Sequence, residues 1–396
     1  MRNSETYELR NIILVNSSGE EYDIKSMMIL LNIYESIFNN TMTGDLHIND
    51  GIGLVESIPI QGDEQIKVSF TIDGNHIWEH TFDVYSVENV ENVGDRLQNI
   101  EMKLVSPAAL INASKKIQKS YSGTATDHIT NICTNMLEIE TLISEPTENS
   151  KDIVVPNMRP FDYINYLAAN SVVPNSNKEA ANFLFYENRD SYNFLSLNTL
   201  FTFPEQFQFV YNSTLSNNVP LVTPFNVTGY HFEKLFDKWD NIASGMYASR
   251  LYTHNIITKE YRIHDYHYNA KFNETNHVDP DGKILHDVDY DPRAKSSFRG
   301  TNDELHPSIS YKDTTGPRLS QMQQLDNNVL VLSCDGETYT TVGNIIDFRI
   351  PTITDVNDNI TDERLSGRYL ITAKRHSLTP IDYFTSLECI KDNFNI

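Results

Sequence analysis

Alternation between apolar and polar residues is strongest between Val329 and Ile390, and it limits what this part of the chain can form. In one short segment the two alternating sets are Ile346, Phe348 and Ile350, and Ile345, Asp347 and Arg349. A period of two is typical of a strand with one face on a core. Turn-forming residues separate the apolar segments, namely Gly336, Gly343, Pro351 and Gly367. This stretch therefore predicts a compact antiparallel unit of about four strands.

Length, charge and cysteine content narrow the class of protein. The chain has 396 residues, enough for roughly two to four domains with their own cores. It carries 31 basic and 54 acidic residues, a formal charge of −23, which argues against tight nucleic-acid binding because such a surface repels phosphate. Cys133, Cys334 and Cys389 lie in apolar segments, which favours reduced, buried thiols and cytosolic synthesis.

No targeting or membrane signal is visible in the sequence. The first residues lack an apolar h-region, and no run of roughly 18 apolar residues occurs. We therefore expect neither a signal peptide nor membrane insertion. An aromatic content of 11% argues against general disorder.

Residues 1–106 have the pattern of a second β unit. Between Gln65 and Ile72 every second residue is apolar, and the Asp73-Gly pair that follows favours a hairpin turn. The alternation returns between Asn99 and Leu104. A small barrel or sandwich fits this spacing best.

Residues 107–205 predict a mixed α/β module. Helical spacing occurs after Pro107 and again around Ile129, and Pro160 begins a third helix at the position where proline is best tolerated. Asn182–Glu187 and Tyr192–Leu197 are predicted to form a hairpin. This aromatic hairpin could stack sugars, but a role in the core of the module is the favoured interpretation.

The domain boundaries are less distinct in the remaining sequence. Residues 206–268 are predicted as a connecting region that contributes in part to a second barrel, with a weak helix at Glu233–Ala248 and strands at Leu251–Tyr268. Residues 269–317 are rich in polar residues, prolines and glycines and predict an irregular insertion. Residues 318–396 complete the second β unit.

Candidate ligands and catalytic residues give only weak signals. Calcium binding is one interpretation of two acidic segments, Asp279-Pro-Asp281-Gly and Asp287-Val-Asp289-Tyr-Asp291. Pro292 and Phe298 stand where an EF-hand loop needs glycine and glutamate, so solvated turns are favoured. The histidines that could bind a metal by spacing alone are His264, His267, His277 and His286. Nucleotide-binding and hydrolase motifs are absent from the sequence. We therefore predict no catalytic, cofactor-binding or metal-binding residue and no enzymatic activity.

Several longer motifs resemble those of one known family. In the C-terminal unit these are Val342-Gly-Asn-Ile-Ile, Leu365-Ser-Gly-Arg-Tyr-Leu-Ile-Thr and His376. Earlier segments include Gly44-Asp-Leu-His-Ile-Asn-Asp, Pro156-Asn-Met-Arg-Pro-Phe-Asp-Tyr-Ile-Asn-Tyr-Leu and Gly245-Met-Tyr-Ala-Ser-Arg-Leu. Together they resemble bacteriophage baseplate hub proteins, the family typified by the central hub of T-even phages. That family is similar in fold to the base of the type VI secretion spike.

The resemblance implies an α+β, mainly β fold with two tail-tube-like antiparallel β-barrels and a mixed α/β module between them. It also implies a homotrimer whose six similar barrels form a ring. Such a ring links the six-fold tail tube to a trimeric cell-puncturing spike and contacts other baseplate proteins. DNA would pass through its channel without specific binding, and the protein would be assembled in the host cytoplasm and reside in the virion tail baseplate.

Two alternatives to the hub interpretation come from other classes. A tail-associated cell-wall hydrolase or carbohydrate-binding protein would need a cleft and, for hydrolysis, a carboxyl group with a raised pKa. A full-length type VI secretion spike would need long β-helical repeats after the hub portion, which this sequence lacks.

Overall fold

The computed structural model describes residues 7–54, 58, 60–74, 76–94, 97–148, 150, 152–174, 181–211, 225–280, 282, 289–301, 311–352 and 361–393. Among the candidate ligands, Asp281, His286 and Asp287 lie outside these residues. The predicted α+β, mainly β fold is confirmed.

The strands are β1 (Glu8–Val15), β2 (Glu21–Asp23), β3 (Met28–Ser36), β4 (Thr43–Asp50), β5 (Gln65–Thr71), β6 (Ile77–Gly94), β7 (Leu97–Val105), β8 (Ser120–Tyr121), β9 (Leu142–Ser144), β10 (Ile153–Val154), β11 (Phe183–Glu187), β12 (Tyr192–Ser196), β13 (Glu205–Tyr211), β14 (Phe225–Lys234), β15 (Ala248–Asn255), β16 (Tyr261–His267), β17 (Ser296–Thr301), β18 (Val329–Asp335), β19 (Ile345–Arg349), β20 (Gly367–Leu378) and β21 (Tyr383–Ile390). The α-helices are α1 (Pro107–Ser114), α2 (Ala125–Asn135), α3 (Pro160–Ala169), α4 (Leu197–Phe201), α5 (Lys238–Ser244), α6 (Tyr268–Lys271) and α7 (Tyr311–Gln324).

The C-terminal β unit is a closed barrel in the order β19-β13-β14-β18-β21-β20, with β20 pairing back to β19. Its last four strands are the antiparallel strands that the sequence predicted. The two strands from the connecting region close the barrel, and β13 runs parallel to both of its neighbours.

The prediction that β19 buries only one face is wrong. Ile345 and Asp347, on the face expected to be polar, are 0% and 6% exposed. The barrel core continues into Leu197 and Leu200 of the middle module, so packing covers β19 from both sides.

The N-terminal β unit is a sheet in the order β3-β4-β7-β6-β5-β1-β2. The predicted strand at Gln65–Thr71 forms, and the Asp73-Gly turn connects it to β6 in antiparallel pairing. β3 also pairs with β20 of the barrel, so the two units share one continuous 13-stranded sheet. Leu378 and Tyr383 of the C-terminal unit lie in the core of the N-terminal unit.

The two β units have the same strand order. The strands β1, β3, β4, β5, β6 and β7 correspond in chain order to β13, β14, β18, β19, β20 and β21. Each neighbouring pair in the first set, such as β3–β4, β4–β7 or β6–β7, has its counterpart in the second. The direction of β13 is the main difference, since β1 is antiparallel to its neighbour β5.

The middle module confirms the predicted helices and hairpin. α2 begins with a capping box between Thr124 and Asp127, and Pro160 is in the first turn of α3. β11 and β12 form the predicted antiparallel hairpin, and Phe183 stacks on Phe194 at a centroid distance of 4.7 Å. Both rings are fully buried, which matches the core role favoured for this hairpin.

Residues 225–324 contain more regular structure than their composition predicted. The helix expected at Glu233–Ala248 is shorter, because β14 continues to Lys234 and Gly245 ends α5 at a φ of +89°. β15, β16 and β17 form a separate sheet, and β17 comes from the segment predicted to be irregular. The domain boundaries remain predictions. None of the described helices has the length and apolarity required to cross a bilayer.

Candidate assembly site at the joint between the two β units

The joint between the units is a line of antiparallel strand pairing between β3 and β20. Residues 31–36 of β3 pair with residues 378–373 of β20. Three ionisable side chains of these strands, Glu35, Lys374 and His376, are each no more than 1% exposed. Burial of an ionisable group is costly unless it is paired and hydrogen-bonded, so their partners matter.

Lys374 is paired with a carboxylate from the loop after β18. Its Nζ lies 2.6 Å from Oε1 of Glu337 and donates to the Thr340 carbonyl oxygen at 2.6 Å. Glu337 also accepts hydrogen bonds from the backbone N–H groups of Tyr339 and Thr340. The buried pair therefore satisfies both of its charged groups and fixes this loop against β20.

Glu35 and His376 form a second buried pair beside the first. Nε2 of His376 lies 3.2 Å from Oε1 of Glu35, and the Thr341 hydroxyl donates to Oε2 at 2.6 Å. Nδ1 of His376 lies 2.6 Å from the Tyr383 hydroxyl oxygen, which is also 2.7 Å from the Glu337 carbonyl oxygen. The network thus joins β3, β20, β21 and the loop after β18.

The surroundings of these groups set their charges. Burial opposes ionisation of Glu35, but the His376 hydrogen bond and the Lys374 charge lower its pKa to about 2. Burial also opposes ionisation of Glu337, yet Lys374 lowers the pKa of that carboxyl. Burial and the Lys374 charge lower the pKa of His376. The Tyr383 hydroxyl donates its one proton to the Glu337 carbonyl oxygen, so its oxygen is left to accept a hydrogen bond from Nδ1 of His376.

A separate anchor holds the 269–282 segment on the C-terminal barrel. His277 Nδ1 lies 2.6 Å from Asp392 Oδ2, and Asp392 Oδ1 accepts the Val278 N–H at 3.0 Å. Asp279 forms an ion pair of 3.3 Å with buried Lys391. Two predicted ligand candidates therefore lie in structural contacts that tie this segment to the C-terminus.

The other candidate ligands that the structure describes are not brought together. His264 contacts the Thr253 hydroxyl at 3.2 Å, and Asp291 accepts the N–H of Arg293 at the start of a short 3₁₀ helix, Pro292–Ala294. Across the described part of the chain, no three metal-ligating side chains converge.

A buried serine, histidine and glutamate meet where the middle module packs on the N-terminal unit. His80 Nε2 lies 3.1 Å from Ser106 Oγ and 3.7 Å from Glu187 Oε1. A nucleophile relay uses both imidazole nitrogens, whereas both contacts here use the same one. Ser106 is also 0% exposed, so this arrangement is not suited to attack on a substrate.

Glu187 links the stability of this packing to pH. Burial raises its pKa to about 7, although the Met42 N–H donates to Oε2 at 2.7 Å. Between pH 4.5 and about 7 the unfolded chain releases this proton while the folded protein keeps it, so stability falls as the pH rises.

The Glu187→Gln variant removes this loss of stability at high pH. We expect it to be more stable than the parent at pH 8 by up to about 3 kcal/mol, with a smaller gain at pH 5.

Urea unfolding of both proteins at the two pH values measures this difference. The matched control is Glu140→Gln, because Glu140 is exposed in the same module. An equal effect of both substitutions on the pH dependence would contradict the assignment to Glu187.

The charged residues of the joint were missed by sequence reasoning. Lys374 and His376 lie in a polar run, Lys374-Arg-His-Ser, which is typical of an exposed segment. In the structure the loop after β18 covers Lys374, and the rings of Phe70, Trp78 and Tyr383 pack around His376. Their single sequence signal is the motif around Leu365–His376 that carries the family resemblance.

The fold of this chain is similar to the folds of two solved phage tail proteins. The chain is similar to the 43 kDa tail protein of prophage MuSo2 from Shewanella oneidensis, with a TM-score of 0.60, 12% identity, and coverage of 97% of this chain and 99% of that one. It is also similar to a tail protein from Neisseria meningitidis, with a TM-score of 0.57, 12% identity, and coverage of 98% and 97%. These identities establish the fold alone.

The sequence is also similar to that of a phage baseplate protein. The chain is 23% identical over 401 residues to the probable baseplate hub protein gp334 of Vibrio phage KVP40, covering 92% of this chain and 89% of the relative. No protein-family model matches. The predicted resemblance to phage baseplate hub proteins is confirmed.

Proposed function

We propose that this protein is the structural hub of a phage tail baseplate and acts as a homotrimer. The observation that carries the proposal is the presence of two β units of the same strand order in one chain, joined through β3 and β20. Three such chains place six similar units around a ring. The ring then meets a six-fold tail tube on one side and a three-fold spike on the other.

The buried joint supports this role because a ring needs a fixed angle between its units. Strand pairing along residues 31–36 and the buried contact between Glu35 of β3 and His376 of β20 oppose rotation of one unit relative to the other. A freely hinged pair of units would not close a ring of defined diameter.

The charge of the chain is suited to a conduit for DNA. At −23, an acidic surface repels a duplex that carries about one negative charge per 1.7 Å of its axis. If acidic residues line the channel, DNA passes without sticking. In this proposal the protein resides in the virion baseplate, contacts the tube, the spike and other baseplate proteins, and assembles in the host cytoplasm.

The mass of the purified protein in solution tests the proposal. Light scattering is expected to give three times the chain mass of 45.4 kDa, either for the protein alone or within a three-to-three complex with the spike protein. The hydrolase alternative predicts release of sugars from cell-wall material. A stable monomer that ignores the spike and releases sugars would overturn the hub proposal.

A further inference from the structure

Two strands each have an edge that is half unpaired within the described residues. β14 pairs with β13 only through residues 225–227, which leaves the β13-facing edge of residues 228–234 without a partner strand. β6 pairs with β5 through residues 77–83, which leaves the same edge of residues 85–94 without one. Unpaired strand edges are templates for pairing with another chain.

These two strands are the counterparts of the strands that pair within the chain. β14 corresponds to β3, and β6 corresponds to β20, by their places in the two equivalent units. β20 pairs with β19 through residues 367–370 and then with β3 through residues 373–378. β6 ends its pairing with β5 at the corresponding point.

Irregularities in the ladders fix the correspondence to single residues. β3 has a bulge between Met28 and Leu30, and β14 has one between Val227 and Gly229, at the same place relative to β4 and β18. β6 has a bulge between Val84 and Ser86, and β20 has one between Ile371 and Ala373, at the same place relative to β7 and β21. Since β-bulges interrupt a ladder at defined positions, the two matches set one common register.

We propose that β14 of one chain pairs antiparallel with β6 of a second copy of this chain, repeating between chains the β3–β20 joint that lies within each chain. This inference rests on the proposed ring and identifies its subunit interface. Ala373 faces Ser36 and Lys374 faces Glu35 in the internal joint. β14 has a further bulge between Phe232 and Lys234 that β3 lacks. With that residue counted, the corresponding register between copies places Ser86 opposite Phe236, Val87 opposite Leu235 and Glu88 opposite Lys234.

The exposed side chains of the two edges fit each other. Beyond Val84, β6 exposes the apolar residues Tyr85, Val90 and Val93 at 51%, 53% and 57%. In this register Glu88 of β6 lies opposite Lys234 of β14, which also pairs with Asp326 of its own chain at 2.7 Å. Two different edges that join head to tail form a closed ring of three when each contact rotates the next chain by one third of a turn, and such a ring leaves neither edge exposed.

A cross-linking experiment tests the interface and its register. In the full-length Ser86→Cys/Phe236→Cys variant, mild oxidation is expected to give covalent dimers and trimers on non-reducing gels. Opposed residues of an antiparallel pair lie about 4.5–5.5 Å apart, within the range for a disulfide. The native thiols Cys133, Cys334 and Cys389 are buried, and burial raises the pKa of each.

The matched control is the Val93→Cys/Phe236→Cys variant. It retains one cysteine of the pair and moves the other seven residues along β6, a distance of about 23 Å in a strand. Loss of the covalent ladder in this control supports the proposed register. Each single-cysteine variant is expected to give no trimer.

The outcomes separate this inference from the proposed function. A trimer by light scattering with no cross-link at Ser86 and Phe236 overturns the strand pairing but leaves the hub in place. Equal cross-linking of the test and control pairs also overturns it, because random collision would explain both. A protein that stays monomeric with the spike and forms no covalent trimer overturns both proposals.

Discussion

The Lys374→Met variant is expected to lose about 3–5 kcal/mol of unfolding free energy, the largest effect predicted for a charged residue of this protein. Methionine keeps the length and apolar volume of the side chain, so the change removes the charge and its hydrogen bonds. Glu337, at 1% exposure, is then left as a buried carboxylate without its cation. Chemical denaturation followed by circular dichroism measures the loss.

An exposed ion pair of similar geometry provides the control. Lys67 lies 2.7 Å from Glu21, but both side chains are about half exposed. The Lys67→Met variant is expected to lose no more than about 1 kcal/mol. Adding Glu337→Gln to Lys374→Met should recover part of the loss, because the unpaired charge disappears. Similar losses for Lys374→Met and Lys67→Met would contradict the importance given to burial.

The Tyr383→Ala variant is also expected to lose about 3–5 kcal/mol of unfolding free energy, but through a different mechanism. Tyr383 belongs to a strand of the C-terminal unit, but its ring packs in the N-terminal core, with its centroid 5.3 Å from that of Phe70. Truncation leaves a cavity between the units and removes a hydrogen-bond partner of His376. Both units should therefore lose stability together in one unfolding transition.

The Tyr383→Phe variant separates the ring from its hydroxyl. It retains the packing on Phe70 and removes the hydrogen bonds to His376 and the Glu337 carbonyl oxygen. A loss of about 1–3 kcal/mol is expected, smaller than that of the alanine variant. If Tyr383→Ala unfolds in two separate transitions with only one affected, the shared core is not what couples the units.

Lys374 and Tyr383 explain how one chain can hold two similar β units at a fixed angle. Each unit has its own apolar core, but the strand pairing, the buried charges and Tyr383 cross from one to the other. The same arrangement makes the joint sensitive to single substitutions. A variant of Lys374 or Tyr383 that folds is therefore also expected to weaken ring formation.

Local sequence patterns predicted much of the secondary structure. The strand at Gln65–Thr71, the turn after it and the hairpin of β11 and β12 follow from alternation and turn residues over short distances. Pro160 and Asp127 mark helix starts because they act on backbone groups within the same turn. The family resemblance implied two related β units. The α+β, mainly β fold class that it also implied is confirmed.

What the sequence alone determined was the set of strands and helices whose pattern depends on near neighbours. Only the tertiary structure decided which of them pair, because pairing of β3 with β20 joins residues more than 330 positions apart. That pairing brings Glu35 of β3 to His376 of β20, and packing of the surrounding loop and rings buries both together with Lys374, so three ordinary ionisable residues form the centre of the joint. A one-dimensional pattern records which side of a strand is polar, but burial depends on what lies against that side.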